Sequence, residues 1–188
     1  LDENKMIFSS ANSINWGRLV PQIVYYVASY CRLIKSGEIK AGAKVNFVVP
    51  TGNFGNILAG YYAMKMGLPV GKLICASNAN NVLTDFIKTG TYDKNRSFFT
   101  TVSPSMDILI SSNLERLIYD LYDRDDVKIN ELMSSLSKEG KYSVDESVLC
   151  KIKETFVGGC CDDEQTLKTI KSTFDKYINN IVMKKYLF

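Results

Sequence analysis

Apolar residues recur at steps of three and four between residues 16 and 35, and this spacing predicts a helix with one buried stripe. Pro21 fits such a helix only within its first turn, where the missing N–H group is not needed. Gly37 marks the expected end of the helix. The predicted stripe consists of Trp16, Leu19, Val20, Ile23, Val24, Val27, Tyr30, Cys31 and Ile34.

A strand, a helix and a second strand are predicted next. Residues 45–49 form a near-continuous apolar run, which is typical of a strand covered on both faces. Residues 55–66 have a helical pattern that ends at Gly67, and residues 72–76 form another buried strand. Strand, helix and strand within about thirty residues predict a right-handed βαβ unit with parallel strands.

The rest of the chain is predicted to be mostly helical. A short helix over residues 81–88 ends at Gly90, and Asn113 is placed to cap a helix that runs to about residue 122. Beyond residue 125 the pattern predicts amphipathic helices and no convincing strand. These helices lie near residues 128–139, 145–156 and 164–177, with Gly140 and the pair Gly158 and Gly159 between them and Asp162 with Gln165 as a capping box.

The predicted fold class is therefore α/β, with a parallel-sheet βαβ core followed by a mostly helical section. We divide the chain into an α/β part over residues 1–125 and a helical part over residues 126–188.

Composition excludes several classes of function. The net charge is +3 and the 23 Lys and Arg residues are scattered, so we expect no nucleic-acid partner. No apolar run approaches the roughly 20 residues that span a bilayer, so no membrane association is expected. Five cysteines without a Cys-x-x-Cys spacing favour a reducing, cytoplasmic location. Histidine is absent, which removes the commonest general base and metal ligand.

The junction between the first strand and the following helix reads PTGNFGN over residues 50–56. A phosphate site needs backbone N–H groups that converge at a helix N-terminus, and Gly52 and Gly55 would permit positive φ angles and a close backbone approach there. The spacing fits neither the Walker loop nor the dinucleotide fingerprint. A tight turn without a ligand is therefore the favoured interpretation of this motif taken alone.

Two further segments add to this motif. Residues 9–19 read SSANSINWGRL, and residues 103–108 read SPSMDI. In this order and spacing, the three segments resemble threonine synthase, a family of fold-type II enzymes that use pyridoxal 5′-phosphate (PLP). The resemblance is strong from Ser9 to Arg124 and looser to Tyr177.

The resemblance implies that PLP is the cofactor and that its phosphate binds at Gly52, Asn53, Phe54, Gly55 and Asn56. It also implies an enzyme that converts the small molecule O-phospho-L-homoserine, with water, into L-threonine and phosphate.

Two other groups of polar residues are candidates for a substrate or hinge role. Asn12, Ser13 and Asn15 belong to the first motif, where the alternative role is to cap the helix that starts at Trp16. Ser103, Ser105 and Asp107 belong to the last motif, where we favour a turn that packs on the core.

Family members hold PLP covalently on a lysine in a Phe-Lys-Asp context, and no lysine here has that context. The second polar loop of the family and its Asp-Pro-His-Thr segment are absent as well. We therefore expect a middle portion of a threonine synthase with no catalytic residue and no metal site, inactive on its own. The open alternatives are another fold-type II enzyme, such as a dehydratase or cysteine synthase, and a non-catalytic module that binds a phosphorylated metabolite. Exposed sheet edges also predict self-association.

Overall fold

The computed structural model describes residues 14–178, and its main feature is a parallel sheet of three strands in the order β1–β2–β5. A second sheet pairs β3 and β4 in antiparallel orientation. The strands are β1 (Val45–Pro50), β2 (Val70–Ser77), β3 (Thr91–Asp93), β4 (Lys141–Ser143) and β5 (Phe156–Cys160).

Helices connect these strands and cover one face of the parallel sheet. The α-helices are α1 (Trp16–Leu19), α2 (Ile23–Lys35), α3 (Gly55–Lys65), α4 (Val82–Thr89), α5 (Leu114–Leu121), α6 (Asp126–Glu139), α7 (Glu146–Thr155) and α8 (Asp163–Thr173). Short 3₁₀ turns cover Val20–Gln22 and Pro104–Met106. A π-helical segment, Phe174–Ile178, follows α8. Within residues 14–178 we find no helix that is long and apolar enough to cross a bilayer.

The predicted βαβ unit is confirmed. β1, α3 and β2 follow one another, and β1 and β2 pair in parallel from Phe47 beside Leu73 to Pro50 beside Ala76. Parallel pairing brings the carboxyl ends of both strands to the same edge of the sheet. The loop before α3 and the segment after β2 therefore meet at that edge.

The prediction that no strand follows residue 125 is wrong. β5 pairs in parallel with β2, from Phe156 beside Leu73 to Cys160 beside Ser77. Gly158 and Gly159 were predicted as a break between two helices, and they lie within this strand. A strand of five residues with two glycines leaves a weak local pattern, and its pairing partner lies about 80 residues earlier in the chain. The boundary after residue 125 remains a prediction, and the parallel sheet contains strands from both sides of it.

The buried face of the first helical segment also differs from the prediction. Leu19, Tyr26 and Tyr30 are buried, whereas Val24 is 62% exposed and Val27 is 41% exposed. Pro21 lies in the 3₁₀ turn between α1 and α2. Because a 3₁₀ turn has three residues per turn, it rotates the following residues away from the regular helical stripe.

One face of the parallel sheet is open within residues 14–178. Val48, Ile74 and Val157 lie side by side on that face, and Val48 is 66% exposed. The prediction that β1 is covered on both faces is therefore wrong for this part of the protein. Leu73 and Phe156 lie on the opposite face and are buried under helices.

An aromatic cluster fixes the segment that leads into α5. The rings of Tyr92 and Tyr142 stack with centroids 5.4 Å apart, and each ring contacts Phe86 edge-on. The buried Tyr92 hydroxyl donates to the carbonyl of Leu109 at 2.9 Å and accepts the N–H of Ser111 at 2.8 Å. These two bonds hold Ser111 at a defined position beside the sheet edge.

The two glycines of β5 provide a matched test of packing. A Cβ on Gly158 would lie 2.9 Å from the Cα of Thr84 on α4, whereas a Cβ on Gly159 meets nothing within 4 Å. We expect Gly158→Ala to lower the free energy of unfolding by about 1–3 kcal/mol, because strand and helix must move apart. Gly159→Ala should change it by less than about 0.5 kcal/mol. Urea denaturation of both variants tests this, and equal effects would contradict the packing.

Candidate functional site

The loop between β1 and α3, residues 51–55, begins as a continuation of the sheet. The N–H of Thr51 donates to the carbonyl of Ala76 at 2.8 Å, and its buried hydroxyl donates to the carbonyl of Val49 at 2.7 Å. These bonds satisfy Thr51 within the sheet edge. The 51–55 loop therefore leaves the sheet from a fixed starting point.

The left-handed residue of the 51–55 loop is Phe54 and not a glycine. Phe54 has φ 61° and ψ −1°, whereas neither Gly52 nor Gly55 has a positive φ. A non-glycine residue in this conformation costs about 1–2 kcal/mol. The Phe54 side chain is only 1% exposed, and its ring lies 5.5 Å from that of Phe156. Burial of a phenyl ring contributes about 1.5–3 kcal/mol, which offsets the strain.

Gly52 is required for a close approach between two loops. A Cβ at this position would lie 2.9 Å from the backbone carbonyl oxygen of Ser105. Any larger residue would push the 51–55 loop and the Ser105 segment apart. The sequence motif therefore contains this glycine because of tight loop packing, and the expectation that it adopts a positive φ is wrong.

Two carbonyl groups of the 51–55 loop are bonded to the segment before α5. The carbonyl of Gly52 accepts the hydroxyl of Ser111 at 3.2 Å. The carbonyl of Asn53 accepts the Nδ2 of Asn113 at 3.0 Å and its backbone N–H at 3.3 Å. The C=O of one residue and the N–H of the next point in opposite directions in a trans peptide. The N–H groups of Asn53 and Phe54 therefore point away from Ser111 and Asn113.

The backbone N–H groups of residues 52–57 donate to no protein acceptor within residues 14–178. The first helical bond of α3 runs from the N–H of Leu58 to the carbonyl of Phe54. No acidic residue occupies the first turn of this helix. Unpaired N–H groups at a helix N-terminus, together with the helix dipole, favour an anion.

An open cleft of about 650 Å³ lies over these N–H groups. It is lined by Arg18, Gln22, residues 50–57 and Ser105. Arg18 is the charged residue among these lining groups. A cleft of this size accommodates a small phosphorylated molecule.

Asn56 connects the cleft to α2. Its Nδ2 donates to the Oε1 of Gln22 at 2.9 Å, and the hydroxyl of Tyr26 donates to its Oδ1 and carbonyl, each at 2.8 Å. Burial of Tyr26 raises its pKa, so this hydroxyl stays protonated and remains a donor. The Asn56 side chain thus holds α2 against α3 and fixes the wall that carries Arg18.

The first motif lies only partly within the described residues. Asn12 and Ser13 are outside that range. Asn15 starts α1, and its Oδ1 accepts the N–H of Gly17 at 2.9 Å. This bond shows the capping role that was one of the two expectations for Asn15, and a role in a hinge or substrate wall remains a prediction.

The candidates of the last motif separate into two groups. Ser105 lines the cleft. Asp107 instead accepts four hydrogen bonds, two from Thr101 in its own loop and two from the segment after β2. Its Oδ1 accepts Asn78 Nδ2 at 2.7 Å, Asn80 Nδ2 at 3.0 Å and the Thr101 hydroxyl at 2.7 Å, and its Oδ2 accepts the Thr101 N–H at 2.9 Å. Ser103 joins the same network through Asn78. Ser103 and Asp107 are therefore bonded within the protein, as expected for the packed turn that we favoured. Ser105 is exposed, as a residue in contact with a ligand must be.

Sequence reasoning missed four polar residues around the site. Asn78 and Asn80 follow β2 at the sheet edge, and both are buried. Ser111 and Asn113 are buried behind the 51–55 loop. Asn113 does precede α5 as predicted, but its side chain makes no capping bond and reaches Asn53 instead. Asn78 and Asn80 could have been identified from the sequence, because asparagines at residues 78, 80 and 81 directly follow a predicted strand.

The sequence of the chain is similar to those of known threonine synthases. No family model matches the chain. It is 48% identical over 170 residues to human threonine synthase-like 1, and this match covers 90% of the present chain and 23% of the human protein. It is 41% identical over 179 residues to threonine synthase from Saccharomyces cerevisiae, and this match covers 90% of the present chain and 34% of the yeast protein.

The fold of the chain is also similar to those of solved threonine synthases. A PLP-bound threonine synthase from Brucella melitensis matches with a TM-score of 0.83 and 41% identity, over 90% of this chain and 35% of that one. Yeast threonine synthase matches with a TM-score of 0.79 and 42% identity, over 87% of this chain and 33% of that one. The chain spans about a quarter to a third of the length of these relatives.

The Asp107 network predicts a pH dependence. The hydrogen bond from the Thr101 N–H, followed by those from side chains, lowers the pKa of Asp107 below its ordinary value. A carboxylate with a lowered folded pKa stabilises the protein above its unfolded pKa of about 3.9, and this stability is lost as the pH falls through the folded pKa.

We therefore expect Asp107→Asn to lower the free energy of unfolding at pH 7, because an amide cannot accept on both sides. The difference from wild type should shrink at pH values below about 4. Urea denaturation across this pH range measures it, with Asp175→Asn at an exposed position as the control. A difference that stays constant with pH would contradict the role of the charge.

Proposed function

We propose that this chain, which is homologous in sequence and fold to a segment of threonine synthases, forms the phosphate-binding part of a PLP site. The observation that carries the proposal is the set of N–H groups of residues 52–57 at the N-terminus of α3, which have no acceptor among residues 14–178 and lie under a cleft whose wall contains Arg18. All five residues that the resemblance implied for the phosphate line this cleft. The related structure from Brucella melitensis is a PLP-bound enzyme.

The residues present fit a phosphate group in three ways. The N–H groups of Asn53 to Asn56 would donate to its oxygens, the dipole of α3 favours its charge, and Arg18 adds a cation at the wall. Ser105 would add a hydroxyl donor from the other loop. Bound PLP supplies an electron sink for carbanion chemistry.

The reaction we propose for the complete enzyme is the conversion of O-phospho-L-homoserine and water into L-threonine and phosphate. In that reaction this chain binds and orients the cofactor. The Gln22–Asn56 bond fixes the wall on one side of the cleft, and the Gly52–Ser105 contact fixes the other. Orientation of a bound group by rigid surroundings is a large part of catalytic power.

We further propose that this chain alone has no activity. No lysine lines the cleft among residues 14–178. Lys72, on β2, donates to the carbonyls of Lys153 and Glu154, and Lys65 lies 3.7 Å from a carboxylate oxygen of Asp120. A group able to bind PLP covalently would have to come from other residues. Cys75 lies beneath the loop, where burial raises the pKa of its thiol to about 11, so it is not a nucleophile at neutral pH.

Binding of the cofactor phosphate is tested by an amide NMR titration. We expect PLP to shift the amide resonances of residues 52–57, because its phosphate bonds to their N–H groups, and pyridoxal without phosphate to leave them in place. Inorganic phosphate should shift the same set more weakly. Identical shifts with PLP and pyridoxal, or no shift with either, would refute the phosphate site.

Arg18 gives a second test. Arg18→Gln should weaken PLP binding by about tenfold at low salt, and by less as salt screens the charge. Arg32→Gln, at an exposed position on α2, is the matched control and should leave the affinity unchanged. Fluorescence titration at two ionic strengths measures both variants. Equal affinities for wild type and Arg18→Gln would show that this cation does not face the phosphate.

We also propose that the isolated chain self-associates. β1 and β5 are the outer strands of the parallel sheet, and Val48 and Val157 are exposed on its open face. Outer strands offer unpaired backbone groups to another chain. Light scattering should show a mass that rises with concentration, and a constant monomer mass would contradict this.

A further inference from the structure

The 51–55 loop depends on one buried amide that lies outside the cleft. Asn113 has 0% exposure, and neither it nor Ser111 lines the cleft. Its Nδ2 and its backbone N–H both donate to the carbonyl of Asn53. A buried residue that donates both its side-chain amide and its backbone N–H to one loop carbonyl is well placed to set the direction of that peptide.

The direction of this peptide decides where an N–H group points. The Asn53 carbonyl and the Phe54 N–H belong to the same trans peptide and point in opposite directions. With the carbonyl held by Asn113, the Phe54 N–H faces away from the protein interior at the N-terminus of α3. Were the peptide to rotate, the cleft would present a carbonyl oxygen, which repels an anion.

Arg116 fixes the orientation of the Asn113 amide. Its NH1 donates to the Oδ1 of Asn113 at 2.6 Å. An asparagine amide can turn over and exchange its oxygen and its NH₂ group. Because a guanidinium has only donors, the Oδ1 must face Arg116, and the Nδ2 must then face Asn53.

Arg116 is in turn held by the segment that starts α1. Its NH2 donates to the carbonyl of Ile14 at 2.7 Å, and its guanidinium carbon lies 5.8 Å from the centre of the Trp16 ring. A guanidinium over an indole face gains cation–π attraction. A continuous set of contacts therefore joins Ile14 and Trp16, through Arg116 and Asn113, to the 51–55 loop.

We infer that Asn113 is a positioning residue that turns the N–H groups of the 51–55 loop toward a bound phosphate, and that Arg116 holds Asn113 in the orientation this requires. The inference rests on the proposed function, since phosphate is the ligand that these N–H groups would receive. It gives the first sequence motif a physical connection to the phosphate site.

The test replaces Asn113 with a side chain of the same shape. Asn113→Asp places a carboxylate oxygen against the Asn53 carbonyl and keeps the bond to Arg116. We expect the affinity for PLP to fall about tenfold, because the hydrogen bond to the Asn53 carbonyl is lost and replaced by a repulsive contact. The affinity for pyridoxal should stay unchanged. Arg116→Gln should lower the PLP affinity by a smaller factor, about two- to fivefold, because the amide gains a second orientation.

Asn95→Asp is the matched control. The Nδ2 of Asn95 also donates to a backbone carbonyl, that of Glu139, at 2.7 Å, but it lies outside the cleft. This variant should leave the ratio of PLP to pyridoxal affinity at the wild-type value. A general loss of stability would instead lower both affinities in all variants alike.

A second readout does not depend on any ligand. In the ligand-free chain, Asn113→Asp should shift the carbonyl carbon resonance of Asn53 and the amide resonance of Phe54, because the peptide between them turns. Resonances that match wild type would overturn the inference. If wild type does not prefer PLP to pyridoxal, the proposed function fails, and the two resonances still decide whether Asn113 positions the loop. If Asn113→Asp does not fold, Arg116→Gln supplies both readouts.

Discussion

The direction of two peptide groups between β1 and α3 is the constraint on which the site depends. The carbonyls of Gly52 and Asn53 are bonded to Ser111 and Asn113 behind the 51–55 loop. Their neighbouring N–H groups therefore point the other way, at the N-terminus of a helix. A strand-to-helix turn without this restraint would not hold these N–H groups in a fixed direction.

The rest of the fold holds the segments that contact the 51–55 loop on its two sides. Parallel pairing of β1 with β2 brings the 51–55 loop next to the segment after β2, where Asn78 and Asn80 bind Asp107. That network holds the loop that carries Ser105 against Gly52. On the far side, stacked Tyr92 and Tyr142 fix Ser111. The site is thus built from elements distant in sequence, and each is tied to the core by buried polar bonds.

The local parts of this structure were predictable from sequence and the non-local parts were not. The helical pattern of residues 55–66 and the apolar run at 45–49 predicted α3 and β1, because each pattern reflects burial of its own element. β5 escaped prediction because five residues with two glycines form a strand only beside β2. Asn113 at a helix start has the signature of a cap, and only the fold reveals that its side chain reaches Asn53.

The same contrast between local and non-local features applies to the predicted site residues. The motif PTGNFGN lines the cleft, and its glycine at residue 52 is required by the close approach of a loop about 50 residues away. The positive φ fell on Phe54, whose buried ring stabilises a conformation that local sequence preference disfavours.

The central claim is that the N–H groups of residues 52–57 bind an anion. A crystal structure of the chain grown with tungstate, a heavy-atom analogue of phosphate, tests it most directly through anomalous scattering. We expect one strong site in the cleft, with tungstate oxygens about 2.7–3.2 Å from at least two of these nitrogens. A cleft without anomalous signal at saturating tungstate, or N–H groups bonded to protein carbonyls instead, would contradict it.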